Sequence, residues 1–133
     1  MYERRSYQRY PVQLDVRLKQ LDEASSDMDA TITDVSTSGI KIIVGKELQP
    51  GTEVAVEWLS APFYYDGELV EKGTVISIER TDAEDGQFRL NVKFLDADSK
   101  LVQSLLNWAQ MQDSAKKRSR SGANRFTGQR KNR

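Results

Sequence analysis

The chain has 133 residues, enough for one domain of ordinary size, and its formal net charge is zero. It contains no cysteine and no histidine, which excludes disulfides, thiol chemistry and the commonest neutral-pH base and metal ligand. We therefore expect a protein that is not an enzyme and that holds no metal or cofactor. Because no apolar run approaches the ~20 residues of a transmembrane helix, we also expect a cytoplasmic protein without a membrane span.

The first half of the chain predicts four β-strands, because apolar and polar residues alternate there in short runs between turn signals. The first run alternates without a fault. A Ser-Thr-Ser-Gly turn separates the second run from the third, and a Pro-Gly pair precedes the fourth. The four predicted strands are residues 12–19, 30–35, 40–44 and 52–58.

Two more strands follow in the second half. Residues 69–80 predict a long fifth strand whose alternation slips around Gly73, which we interpret as a bulge where a barrel bends. Residues 88–94 alternate cleanly and predict a sixth strand, entered across an Asp-Gly turn at residues 85–86.

Helical spacing of apolar residues then predicts a helix over residues 98–112, with Asp98 or Ser99 as its N-cap. This helix has an apolar face and no partner helix, so it must lie against the sheet. The fold class we predict is all-β: a six-stranded antiparallel β-barrel over residues 12–95, with a C-terminal α-helix packed on it. Closure into a barrel also removes exposed strand edges.

The last part of the chain is basic and the rest is acidic. Residues 1–112 carry 12 Lys+Arg and 19 Asp+Glu, whereas residues 113–133 carry eight basic residues and one acid. The tail has a single large apolar residue, so burial cannot offset its ordering entropy, and we predict that it is disordered. It is expected either to contact an acidic protein, a membrane or nucleic acid, or merely to aid solubility.

A first cluster of functional candidates lies in residues 1–11, which we expect to form a flexible arginine loop. It contains Arg4, Arg5 and Arg9, and Pro11 biases the preceding residue away from helix. Guanidinium groups presented from a loop can bind phosphate with two parallel hydrogen bonds and stack on a purine. An ordinary solvated N-terminus is the alternative.

A second cluster lies in the turn between the second and third predicted strands. We expect Asp34 to share the face of Ala30 and Ile32 and to accept hydrogen bonds at the end of the strand. Ser36 offers a hydroxyl, and Gly39 permits a positive φ or the close approach of a ligand. The alternative is a turn that only closes a hairpin.

Together, in this order, the two clusters resemble the PilZ family, through Arg5-x-x-x-Arg9 and Asp34-x-Ser36-x-x-Gly39. The resemblance covers about residues 3–112 and implies that the chain binds the bacterial second messenger cyclic di-GMP. Arg5 and Arg9 would then hold the phosphates and a guanine edge, Asp34 and Ser36 would bond guanine, and Gly39 would leave it room.

Two positions extend or break the resemblance. Arg4 adds a third arginine that could clamp a second ligand molecule, since the family binds the nucleotide singly or as a stacked pair. Asn91 lies near a place where the family often has glycine.

The resemblance implies a cyclic di-GMP receptor that relays the signal to an unidentified downstream protein, in bacterial motility or biofilm regulation. The alternative is a degenerate PilZ-type module that binds a protein and no nucleotide. A nucleic-acid-binding barrel is disfavoured, because the acidic body lacks the basic, aromatic strand face that such barrels use.

Overall fold

A computed structural model gives the architecture of the chain. It describes residues 8–22, 27–81 and 86–131, with side chains described as far as Lys116. The elements are β1 (Tyr10–Gln20), β2 (Met28–Val35), β3 (Gly39–Val44), β4 (Glu53–Trp58), β5 (Val70–Arg80), β6 (Phe88–Phe94) and α1 (Lys100–Lys131).

The six strands form a closed barrel in the order β1-β2-β3-β6-β5-β4, and every neighbouring pair is antiparallel. Pairing of β1 with β4 closes the ring. The predicted fold class is confirmed. The barrel leaves no long unpaired strand edge among these six strands, which removes a common route to edge-to-edge aggregation.

Strand alternation places one apolar row of each strand inside the barrel. On β1, Val16 and Leu18 are fully buried, and Arg17 between them is half-buried on the outer face. Each such aliphatic side chain contributes roughly 1.5–3 kcal/mol when it leaves water. The largest fully buried side chains are Leu18, Ile32, Ile42, Leu90, Leu101, Leu105, Val16, Val35, Val44, Val54, Val56 and Val75.

The bulge of β5 lies three residues later than predicted. The register passes through Gly73 without interruption and shifts between Val75 and Ser77, so Ile76 is the extra residue. Val75 is buried, and Ile76 and Ser77 that follow it are both exposed. Gly73 instead marks a close strand contact, because a Cβ there would lie 2.8 Å from the carbonyl oxygen of Lys93.

Helix α1 begins with a side-chain cap. The Ser99 hydroxyl accepts a hydrogen bond from the Val102 amide at 3.1 Å, which settles the predicted choice between Asp98 and Ser99. The same hydroxyl donates to the Glu71 carboxylate at 2.9 Å and so ties the helix to β5. The buried face of the helix comprises Leu101, Val102, Leu105, Leu106 and Ala109.

The helix runs to Lys131, well beyond the predicted end at Gln112. The tail contains no proline and many good helix formers, and these outweigh the low helix propensity of Gly122 and Gly128. Residues 110–116 are exposed except for half-buried Asp113, and Met111 is 67% exposed, so the described extension adds no core. Within the described residues, no helix is both long enough and apolar enough to cross a membrane.

A chain that ends at Gln112 should keep the fold of the full chain. Among the helix residues with described side chains, 100–116, the last fully buried one is Ala109, so truncation removes little buried surface from the described structure. We expect the melting temperature to change by less than ~4 °C, the effect of about 1 kcal/mol on a domain of this size. A truncated chain that melts many degrees lower would contradict this expectation.

Glu71 should make stability depend on pH. Burial raises the pKa of its carboxyl above the ordinary value of 4.5; the Ser99 hydrogen bond opposes this rise and repulsion from Asp96 adds to it. The folded chain therefore binds the proton more tightly than the unfolded chain, and stability falls as pH rises through the interval between the two pKa values.

The variant Glu71→Gln removes that ionisation and keeps an oxygen that can accept from Ser99. We expect its melting temperature to match that of the wild type below pH 4.5 and to exceed it at neutral pH, as measured by thermal unfolding across pH. Glu57→Gln removes the same charge from an exposed position on β4 and controls for net charge. If the melting temperature of Glu71→Gln fell towards or below that of the wild type as pH rises, the expected effect of Glu71 would be contradicted.

Candidate functional site

A cleft of about 360 Å³ lies where the entry to β1, the β2–β3 turn, the β5 bulge and β6 meet. This volume falls within the usual range for small-molecule sites. It brings together three of the predicted site residues: Arg9, Ser36 and Gly39. The described residues that line it are Arg9, Ser36, Ser38, Gly39, Ile40, Ile76, Ser77, Asn91, Val92 and Lys93.

Strand pairing brings Arg9 to the cleft. Tyr10, the first residue of β1, lies opposite Val35 at the end of β2, so the residues just outside each strand, Arg9 and Ser36, come side by side. Arg9 is exposed, which leaves its guanidinium accessible to a ligand. Arg4 and Arg5 lie outside the described residues.

Ser36 is buried, with 6% of its surface exposed, and its polar atoms serve the turn. Its amide donates to the Gly39 carbonyl at 2.9 Å. Its hydroxyl oxygen accepts from the amides of Gly39 at 3.3 Å and Ser38 at 3.4 Å. These bonds hold the turn closed and turn the Ser38 carbonyl to β6, where it accepts from the Phe94 amide at 3.1 Å.

Gly39 is required by a neighbouring strand. A Cβ at this position would collide with the carbonyl oxygen of Val92 and lie 3.1 Å from the Cα of Lys93. Among the described glycines, only Gly51 and Gly86 have positive φ, so that reading of Gly39 is wrong. The atoms that approach Gly39 closely belong to the β6 backbone, and the predicted close approach of a ligand stays a prediction.

Asp34 lies on the opposite face from the one predicted. The β2–β3 register shifts between Ile32 and Asp34, so Thr33 is an extra residue. Ile32 and Val35 are both fully buried, and the two residues between them are half-buried. Asp34 therefore shares the outer face with its cross-strand partner Lys41 and does not line the cleft.

The cleft is locally positive although the body of the chain is acidic. The charged side chains among its described lining residues are Arg9 and Lys93, and both are cations. Two larger clefts of about 470 Å³ lie elsewhere, one lined by Asp15 and Asp29 and the other by two aspartates and one lysine. Charge therefore favours the smaller cleft as a site for an anion.

Sequence reasoning missed part of the cleft wall. Ile76 and Ser77 face it because of the β5 bulge, and Lys93 reaches it from β6. The slip in the apolar alternation of β5 was the available signal, but it was assigned to Gly73.

A family model described as the PilZ domain matches residues 3–110. The chain belongs to the PilZ domain family. The match covers the strands, the β2–β3 turn and the helix as far as residue 110, together with the N-terminal arginines. A comparison with curated proteins finds no match.

Several solved structures share the fold. The PilZ domain of YcgR from Escherichia coli, solved with c-di-GMP, has a TM-score of 0.67 and 20% identity, and the match covers 90% of this chain and 98% of that one. YcgR in complex with c-di-GMP, also from E. coli, gives 0.61 and 22% identity, with 93% and 51% covered. The inhibitor of motility MotI/DgrA from Bacillus subtilis gives 0.67 and 17%, with 86% and 54% covered. The match spans about half the length of these last two chains.

Gly39→Ala should destabilise this PilZ domain. The added methyl group must displace the β6 backbone, and overpacking of this kind typically costs about 1–3 kcal/mol. Thermal unfolding should show a melting temperature lower by several degrees. Gly45→Ala is the matched control, because the nearest atom to its Cβ is the Gly86 carbonyl oxygen at 3.9 Å, an ordinary contact. Equal melting temperatures for the two variants would refute the steric role of Gly39.

Proposed function

We propose that this PilZ domain is a receptor for cyclic di-GMP and not an enzyme. Membership of the family supports the proposal, as do the E. coli YcgR structures solved with c-di-GMP. In this proposal Arg5 and Arg9 hold the phosphates and a guanine edge, Ser36 and Asp34 bond guanine, and Gly39 leaves it room.

The observation that carries the proposal is the position of Arg9 in one cleft with Ser36, Gly39 and Lys93. Cyclic di-GMP carries two phosphate charges and two guanines. An exposed guanidinium can give a phosphate two parallel hydrogen bonds, and these charge-assisted bonds are about twice as strong as neutral ones. Charges beyond ~8 Å are largely screened at physiological salt, so the acidic remainder of the body opposes binding only weakly.

The remaining predicted site residues have proposed roles outside the described cleft wall. Arg5 precedes Arg9 by four residues and is proposed to complete the phosphate clamp. Arg4 is proposed to contact a second nucleotide when two bind. Asp34 faces outward two residues before Ser36, and it is proposed to accept from the amino and imino groups of guanine.

The output of the receptor is proposed to be a contact with another protein. The ligand would bridge the N-terminal arginine loop and the barrel, and so present a surface that the free chain lacks. MotI/DgrA, an inhibitor of motility, shares this fold, which supports motility as one process in which such an output would act.

The alternative function is a PilZ-type module that binds a protein and no nucleotide. One observation favours it: Ser36 and Gly39 are both needed by the fold, the first for its turn hydrogen bonds and the second for its contact with β6. Their presence is therefore explained without a ligand. Arg9 is exposed and has no such structural task in the described contacts, so the arginines decide between the two functions.

Replacement of an arginine should abolish tight binding without unfolding the chain. Removing one partner of a buried, hydrogen-bonded charge pair typically costs ~2–5 kcal/mol. At ~1.4 kcal/mol per decade, Arg5→Ala or Arg9→Ala should weaken cyclic di-GMP binding at least ~30-fold in calorimetry. Arg9→Lys keeps the charge but loses the planar fork, and should restore only part of the affinity.

Lys116→Ala serves as the matched control, because Lys116 is an exposed cation on the helix beyond the barrel. It should leave the affinity unchanged. If both alanine variants bind cyclic di-GMP as well as the wild type does, and circular dichroism shows that they are folded, the proposed roles of Arg5 and Arg9 are wrong. If the wild type does not bind cyclic di-GMP, the protein-binding alternative takes its place.

A further inference from the structure

The far wall of the cleft carries a polar pair that neither sequence motif includes. Asn91 on β6 and Ser77 on β5 lie opposite each other in the register, and both line the cleft. The pairing exists because the bulge at Ile76 adds one residue: Val75 faces Val92 inside the barrel, and the next pair in the register is Ser77 with Asn91 on the outside.

The pair is joined by a short hydrogen bond. The Asn91 Nδ2 atom donates to the Ser77 Oγ atom at 2.6 Å. Because the serine oxygen is the acceptor in this bond, its own hydrogen is left to donate elsewhere. The asparagine nitrogen has a second hydrogen as well. The wall thus presents two neighbouring donors whose side chains are held in place by their mutual bond, together with the Asn91 amide oxygen, which can accept.

Two adjacent donors fit one nucleobase edge better than another. Guanine presents two acceptors side by side, N7 and O6, whereas adenine presents the acceptor N7 beside the N6 amino donor. An adenine in the same position would set its amino donor against one of these two hydrogens. It would pair fully only through the Asn91 amide oxygen, as asparagine does with adenine elsewhere, so the preference for guanine requires that both hydrogens face the base. A mismatch of this kind leaves polar groups unpaired, which is the main source of discrimination at hydrogen-bonding sites.

The bulge residue adds an apolar surface beside the pair. Ile76 is 55% exposed and lines the same cleft. A purine that bonds to Ser77 and Asn91 would cover part of this side chain. Burial of the exposed isoleucine would favour the binding of any flat base, and the hydrogen bonds of the polar pair would determine which base binds best.

We propose that Asn91 and Ser77 form a guanine-reading subsite, with Ile76 as its apolar floor. This inference rests on the proposed cyclic di-GMP function and names the residues that set its base specificity. A purely structural role is the competing explanation, because cross-strand polar pairs also stabilise sheets by small amounts. The two explanations differ in their effect on ligand selectivity.

The experiment measures the affinities of cyclic di-GMP and cyclic di-AMP for wild type, Asn91→Ala and Ser77→Ala by calorimetry. We expect each variant to bind cyclic di-GMP about tenfold more weakly, the effect of one net hydrogen bond near the upper end of its range. Affinity for cyclic di-AMP should change less or rise, so the preference for guanine should fall. Both variants should stay folded, and Ser77→Ala, which alters an exposed side chain, carries the test if Asn91→Ala does not fold.

Thr31→Ala is the matched control, because the Thr31 hydroxyl makes a comparable exposed cross-strand bond to Asp15 at 3.4 Å, away from this cleft. It should change neither affinity. If the wild type binds cyclic di-GMP and both cleft variants keep its affinity and selectivity, the proposed subsite is wrong. The proposed receptor function is not contradicted by that result. If the wild type does not bind cyclic di-GMP, both the proposed subsite and the proposed receptor function are wrong.

Discussion

The contact between the β3 and β6 backbones at Gly39 is the constraint on which the site depends. β3 can pair with β6 at this end of the barrel only because residue 39 has no side chain. The contact places the β2–β3 turn against β6, where the Ser38 carbonyl accepts from the Phe94 amide. One wall of the cleft is thus held against the other by main-chain atoms, which move less than side chains do.

Two bulges decide which polar groups face outward around this contact. The extra residue at Thr33 moves Asp34 from the inner face to the outer face, and the extra residue at Ile76 does the same for Ser77. The register then aligns Asp34, Lys41, Asn91 and Ser77 as successive cross-strand neighbours over four strands. Bulges often re-aim side chains beside functional sites, and here they extend a polar row from the turn to the far wall.

The sequence was sufficient to predict the strands but not the exact register between them. Period-two alternation placed all six strands with ends within two residues of the structure, because each strand buries one continuous apolar row. The motif arginine Arg9 and the turn residues Ser36 and Gly39 were also found from sequence and do meet in one cleft. The bulge of β5 was misplaced and the extra residue at Thr33 was missed, since a fault in alternation locates an extra residue only loosely until the partner strand is known. The end of the helix was misjudged for a different reason: burial stops near Ala109, whereas backbone hydrogen bonding continues.

Ser36 and Gly39 in the β2–β3 turn stabilise the fold and are also proposed to contact the ligand, and this combination affects how the motif would evolve. A PilZ lineage that lost its nucleotide would remain under selection for a serine and a glycine at the positions of Ser36 and Gly39, because the barrel would be less stable without them. The exposed arginine before β1 would meanwhile be free to drift. In a survey of such domains, the turn motif alone would therefore report ancestry, and the arginines would report whether the ligand is still in use.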